Sequence, residues 1–186
     1  MQAWQFVAVL GSNFLYSGGL RIATSHVITH PQWTPFNLNN DIAIIYLPTS
    51  VPFTQSVQPI SLPQNNEQFV GYWATAAGYG KTSDHQQGPS HMVSHVNLQV
   101  ISVAQCQATY NQHGVQYVVA STICTSGAGG VGICGGDSGG PLVTNFNGRT
   151  VLIGVSSFVA NNACQQGFPS GFARITSFSG FLNQHM

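Results

Sequence analysis

The sequence predicts an all-β protein, and three observations carry that reading. Its apolar residues come in short runs rich in Val, Ile and Phe rather than in long amphipathic stretches. Clusters of Gly, Pro, Asn, Ser and Gln divide those runs, as turns divide strands. No sustained helical heptad and no internal repeat is present.

The elements follow in order. Gln5–Leu10 opens the series with the apolar run Phe6-Val7-Ala8-Val9-Leu10. Leu20–Ile28 is next, and its second part from Ile22 alternates as a strand does. Asp41–Tyr46 sets one carboxylate before an apolar, partly β-branched run, the pattern of a buried strand. Pro48 to Pro63 reads as a linker between two halves. Gly71–Ala77, His95–Val100, Pro141–Thr144, Val151–Phe158 and Gly171–Ile175 complete the strand set.

Composition narrows the function classes. The chain has 186 residues, 43% of them apolar, which is enough for a sizeable core. Only 4% are charged, and four acidic and four basic residues leave a formal net charge of zero. There is no basic patch for nucleic acid, no polybasic segment for a membrane surface and no apolar run of membrane-spanning length. Near-zero charge also favours association. The four cysteines, Cys106, Cys124, Cys134 and Cys164, allow three disulfide connectivities, among which sequence alone does not choose. They contain no C-x-x-C pair, which argues against a metal site. Disulfides require an oxidising compartment, so the natural parent is expected to be secreted.

The most specific stretch is Cys134-Gly135-Gly136-Asp137-Ser138-Gly139-Gly140-Pro141-Leu142. A serine hydroxyl becomes a useful nucleophile only beside a base and a pair of N–H groups that receive an oxyanion. Flanking glycines let the backbone bend sharply enough to aim two N–H groups at one point. This string resembles the active-site serine loop of the trypsin/chymotrypsin-like serine proteases, with wording nearest the digestive chymotrypsin-like enzymes of insects. The resemblance continues through Asn40-Asp41-Ile42-Ala43-Ile44, similar to the segment whose Asp orients the catalytic His. It also covers Gly78-Tyr79-Gly80, with Tyr in place of the family's Trp, Val155 to Val159, and Gly171-Phe172-Ala173-Arg174-Ile175.

The resemblance implies two antiparallel Greek-key β-barrels with the site in the cleft between them, and a short C-terminal helix. Residues 1–60 are expected to form only part of the first barrel, and residues 61–186 the whole of the second. An open half-barrel leaves strand edges and apolar surface unpaired. The resemblance further implies Ser138 as nucleophile, Asp41 as orienting carboxylate, and the N–H groups of Gly136 and Ser138 as the oxyanion hole. Asp137 is the expected partner of the amine freed on zymogen activation. The implied disulfides are Cys106–Cys124 and Cys134–Cys164. Gly132, six positions before Ser138, falls at the base of the specificity pocket, followed by Ile133. Ser157, Phe158 and Val159 match its wall, and Ser170 its rear. No carboxylate stands at Gly132 to pair with Lys or Arg, and Val159 narrows the entrance, so uncharged side chains are expected to fit. The implied partners are polypeptide substrates or protein protease inhibitors, with no cofactor and no metal, acting on a monomer.

Two expected parts have no counterpart. The family's catalytic His follows Thr-Ala-Ala and precedes a Cys, and the forty residues before Asp41 hold no such segment. The seven histidines are His26, His30, His85, His91, His95, His113 and His185, and none stands in that context. His26 and His30 lie in a strand and a strand-to-loop corner, while His85, His91 and His95 fall in a polar loop and its exit. There is no Ile-Val-Gly-Gly to be released. The stretch from Ala3 to Leu10 contains Gln5, has no basic residue before it and is followed by no clean cleavage site, so it is not read as a signal peptide. The expectation is a chain truncated at its front and inactive as it stands. The alternative is a non-catalytic, protease-like binding module or decoy.

Overall fold

The structure, a computed structural model, describes residues 4–64, 66–160 and 163–186. The expected readings at Met1 to Ala3 lie outside them. The first half makes two separate hairpin sheets. Strand β1 (Phe6–Leu10) pairs antiparallel with β2 (Leu20–Thr24), and β3 (Val27–Thr29) with β4 (Ala43–Ile45). The single expected strand Leu20–Ile28 is therefore two. Thr24 causes the break: its Oγ1 accepts from His26 N at 3.1 Å and donates to Tyr46 O at 2.7 Å. That local bond offers the backbone a turn in place of a continued ladder.

The second half closes. Strands β5 (Trp73–Gly78), β6 (Ser94–Ile101), β7 (Thr122–Thr125), β8 (Pro141–Phe146), β9 (Arg149–Phe158) and β10 (Ser170–Arg174) form one barrel. All its pairings are antiparallel, in the order β10-β7-β6-β5-β8-β9. Side-chain alternation explains the closure. Ala74 and Ala76 of β5, Leu98 and Val100 of β6, Leu142 of β8 and Ile153 of β9 all turn into one core with Ile123 and Phe172. Strand β7 and the helix α1 (Val103–Gln112) were not among the expected elements. Ser102 caps α1 by accepting Gln105 N at 3.1 Å. The Ser102-x-x-Gln105 spacing is the sequence signal that marks this start.

Two further clusters fix the barrel's surroundings. Helix α2 (Ser179–His185) and the 3-10 turn Ile175–Phe178 bury Phe178, Phe181 and Leu182 against Ile42, Ala173 and the partly buried Ile44. This packing joins the first half to the C-terminus. Under α1, Cys106 and Tyr110 pack with Cys124 and Phe158, and the disulfide Cys106–Cys124 ties the helix to β7. Tyr110 is 1% exposed and donates its hydroxyl to Pro169 O at 2.6 Å, next to Ser170.

Burial pushes the Tyr110 hydroxyl up to about 12. Its ordinary value is 10.0, so the folded chain keeps the proton that the unfolded chain releases. This contribution is fully present below the ordinary value and is lost as pH rises through the raised one. Two units correspond to about 3 kcal/mol. Urea midpoints measured from about pH 9 to about pH 11 should fall, and Tyr110→Phe should flatten that fall while losing about 1 kcal/mol at neutral pH. An equally steep fall in the variant would contradict this account.

Candidate active site

The loop between Cys134 and Pro141 is built by its own backbone. Asp137 N donates to Cys134 O at 3.1 Å and Gly140 N to Asp137 O at 2.9 Å. Gly139 N and Ser156 O, at 2.9 Å, and Ser156 N and Gly140 O, at 2.8 Å, pin the loop to β9. Gly136 takes φ +101°, which a side chain would strain. The result is an exposed Ser138 whose hydroxyl has no protein partner among the described residues. The N–H groups of Gly136 and Ser138 also lack protein acceptors there. One turn therefore offers a free hydroxyl and two free donors.

Asp137 turns the opposite way. Its carboxylate accepts from Gly80 N at 2.8 Å and from Cys134 N at 2.9 Å. The space it fills is left by two glycines. A Cβ on Gly80 would lie 2.5 Å from the Asp137 carboxyl carbon, and one on Gly78 would collide with Oδ1. The Gly78-Tyr79-Gly80 motif is thus a steric requirement of Asp137. The same carboxylate borders a cavity of about 300 Å³ that also meets Lys81, His95, Gly132 and Gln165.

Asp41 stands just before β4. Its Oδ1 accepts the indole N–H of Trp33 at 3.1 Å, and its Oδ2 accepts the hydroxyl of Ser157 at 2.6 Å. Ser157 in turn lines a second cavity of about 260 Å³ with Ser138, Ile133, Phe158, Val159 and Tyr117. Leu38 borders both this cavity and the small one beside Asp41. The fold therefore links the carboxylate to the serine's cleft through one hydroxyl. The other two expected pocket residues lie apart from that cleft. Gly132 borders the first cavity, and Ser170 is buried, accepting Ile133 N at 3.1 Å. The two face each other, since a Cβ on Gly132 would lie 2.6 Å from Ser170 Oγ.

No histidine among the described residues bonds to Asp41 or Ser138. His30 accepts Gln32 N through Nδ1 and packs on Phe178 and Phe181. His26 stacks on Tyr46 at 4.5 Å, His91 meets Tyr16, His113 meets Phe168, and His185 meets Phe181. His85 and His95 are exposed. The structure pairs Cys106 with Cys124 and Cys134 with Cys164. Beside the second bridge, Asp84 accepts Cys164 N at 2.9 Å and Gln165 N at 3.3 Å, and Gln165 Oε1 accepts Asp84 N at 3.1 Å. The sequence reading singled out neither Trp33, Asp84 nor Lys81. Their roles come from contacts across 8 to 81 residues, which no local pattern announces.

A closed antiparallel barrel with this serine loop at its rim, joined to β hairpins and ending in a helix, defines a chymotrypsin-type fold. The Trypsin family model matches residues 4–182, and the chain belongs to that family. It is 35% identical to the protein "Collagenase" of Hypoderma lineatum over 96% of this chain and 66% of that one. It is 36% identical to "Serine protease 1" of Drosophila melanogaster over 88% of this chain and 59% of that one. "Brachyurin" of Leptuca pugilator is 37% identical over 87% of this chain and 67% of its own length. Among solved structures, HL collagenase superposes with a TM-score of 0.85 at 34% identity, covering 97% of this chain and 75% of that one. The chain thus spans less than two thirds of the length of the Drosophila and Hypoderma relatives.

The glycine cradle sets a test. Gly78→Ala should destabilise the chain by about 1–3 kcal/mol, because the new methyl displaces a bonded carboxylate. Combined with Asp137→Ala, the loss should be smaller than the sum of the single losses by about 1 kcal/mol. Strict additivity in urea unfolding would show that the two do not meet.

Proposed function

We propose that this chain supplies the nucleophile, orienting carboxylate and substrate cleft of a serine endopeptidase. Ser138 attacks the scissile carbonyl, the N–H groups of Gly136 and Ser138 receive the oxyanion, and Asp41 orients the base. The observation that carries this reading is the free hydroxyl and two free N–H groups on one turn, joined to Asp41 through Ser157 across the cleft. Ser157 fixes one carboxylate oxygen, which sets the direction in which the other faces.

The base is none of the seven histidines and comes from outside these residues. In its absence the chain is close to inactive, because Ser138 has no group to take its proton. Asp137, held among the described residues by backbone N–H groups alone, is the expected seat for an activating amine. Residues 1–60 and 61–186 act as the two walls of the cleft. Ile133, Ser157, Phe158 and Val159 line the cleft beside Ser138 without a charge, so the pocket takes uncharged side chains. The bridged cysteines support an oxidising, extracellular setting for the parent, and the reading takes it as a monomer that acts on polypeptides or is bound by protease inhibitors. One observation favours the alternative of a non-catalytic binding module: the Trp33 indole occupies an oxygen of Asp41.

The test joins the activation site, first strands and His segment of a close relative to about Gln5. The chain alone should show a kcat deficit of about 10⁶ against that completed protein. The completed protein should cleave after Leu, Phe or Ala far better than after Arg, and Ser138→Ala should abolish cleavage. A folded completed protein without turnover supports the binding module, and a preference for Arg overturns the pocket reading.

A further inference from the structure

The charges around the cleft are unevenly satisfied. Each of its three carboxylates has at least two hydrogen-bond donors. Asp41 accepts Trp33 and Ser157, Asp137 accepts Gly80 N and Cys134 N, and Asp84 accepts Cys164 N and Gln165 N. The single lysine of the chain, Lys81, has no such partner. Its backbone N–H is anchored to Gly135 O at 2.9 Å, yet its ammonium has neither an ion pair nor a hydrogen bond among the described residues. The side chain is half-buried and runs beside Gly135, where an added Cβ would meet its Cδ at 3.9 Å. It lines a cavity of about 160 Å³ with Asp84, Gly135, Val159 and Cys164. Gly135, Val159 and Cys134 also border the cleft that holds Ser138, so the two spaces share a wall.

We infer that Lys81 forms a cationic subsite beside the cleft and selects polypeptides with an acidic side chain near the scissile bond. This deepens the endopeptidase reading above and rests on it. The argument is one of complementarity. Asp84 borders the same recess, but its carboxylate is turned to two backbone N–H groups and makes no ion pair with the Lys81 ammonium among the described residues. An approaching Asp or Glu meets a cation without a partner in a recess floored by the disulfide Cys134–Cys164. The attraction is partly solvated, so it is modest and falls with salt.

Two measurements test this. In the chain as it stands, Lys81 is the one lysine, so its acetylation by dilute acetic anhydride is read by mass spectrometry of the peptide that carries it. A capped peptide Ala-Ala-Phe-Asp-Ala-Ala should slow that acetylation, and the same peptide with Asn in place of Asp should not. In the completed protein, peptides with Asp or Glu scanned through the positions flanking the cleaved bond should gain about three- to fivefold in kcat/KM over Asn or Gln at the favoured position. Lys81→Met should remove the preference, Lys81→Glu should reverse it, Lys81→Arg should keep it, and about 0.5 M salt should shrink it. Equal protection by the two peptides overturns the subsite. Hydrolysis without an acidic preference overturns the subsite alone, while selective protection without hydrolysis overturns the endopeptidase reading alone.

Discussion

The inward turn of Asp137 is the constraint on which the serine loop depends. Its carboxylate sits where Gly78 and Gly80 leave room and binds the N–H groups of Gly80 and Cys134. That fixes the end of β5 against the start of the loop. With Asp137 held inside, the adjacent Ser138 is left exposed and the donors of Gly136 and Ser138 stay free. A half-buried carboxylate with bonded partners is stable where a lone one is not, so the loop's shape is coupled to the charge behind it. The reactive face is a consequence of how the opposite face is satisfied.

The two halves of the chain stand on different physical footings. The second has a closed sheet with no open edge and a core of side chains exposed by 5% or less. The first has two hairpins and holds eleven of the seventeen large apolar side chains exposed among the described residues, from Trp4 to Ile60. What joins β4 to the rest is the packing of Ile42 and Ile44 on α2 and the turn before it. Asp41 sits at that seam, so its geometry depends on the less closed half, whereas Ser138 belongs wholly to the more closed one. Local opening is easiest where buried apolar contacts are fewest. Asp41 is therefore more exposed to local fluctuation than Ser138.

Strands β5, β6, β8 and β9 were legible because inward and outward positions alternate around a barrel, and sequence records that alternation directly; β7, four residues buried throughout, was not. The split of Leu20–Ile28 was not, because it turns on where one threonine hydroxyl points. Helix α1 carries a weak apolar period, and only its Ser102–Gln105 cap marks it locally. At the site, motif residues such as Ser138, Asp137 and Asp41 could be named from sequence because each lies in a characteristic string. Trp33, Lys81 and Asp84 could not, since what distinguishes them is whether a charge or donor elsewhere in space meets them. Gly132 and Ser170 were read as the base and the rear of one pocket; the structure sets them facing each other, with Gly132 at the first cavity and Ser170 buried.

The loop after Gly80 is tied to its surroundings at its base, while its tip bonds within the loop, Gln86 Nε2 donating to Gly88 O at 3.3 Å. Lys81 N holds Gly135 O, Ser90 N holds Tyr79 O at 2.7 Å, and Asp84 clasps Cys164 and Gln165. Between these ties, Gln87, Gly88 and Pro89 stand exposed, and a side chain added at Gly88 would touch nothing within 4 Å. A loop secured at both feet and free at its crest tolerates added length, because extra residues neither enter the core nor pull on the strands. Its position beside the cleft makes that tolerance consequential. Chain inserted at the crest lengthens the loop that carries Lys81 and Asp84 without entering the serine loop, so the reach of the one and the backbone of the other are free to evolve separately.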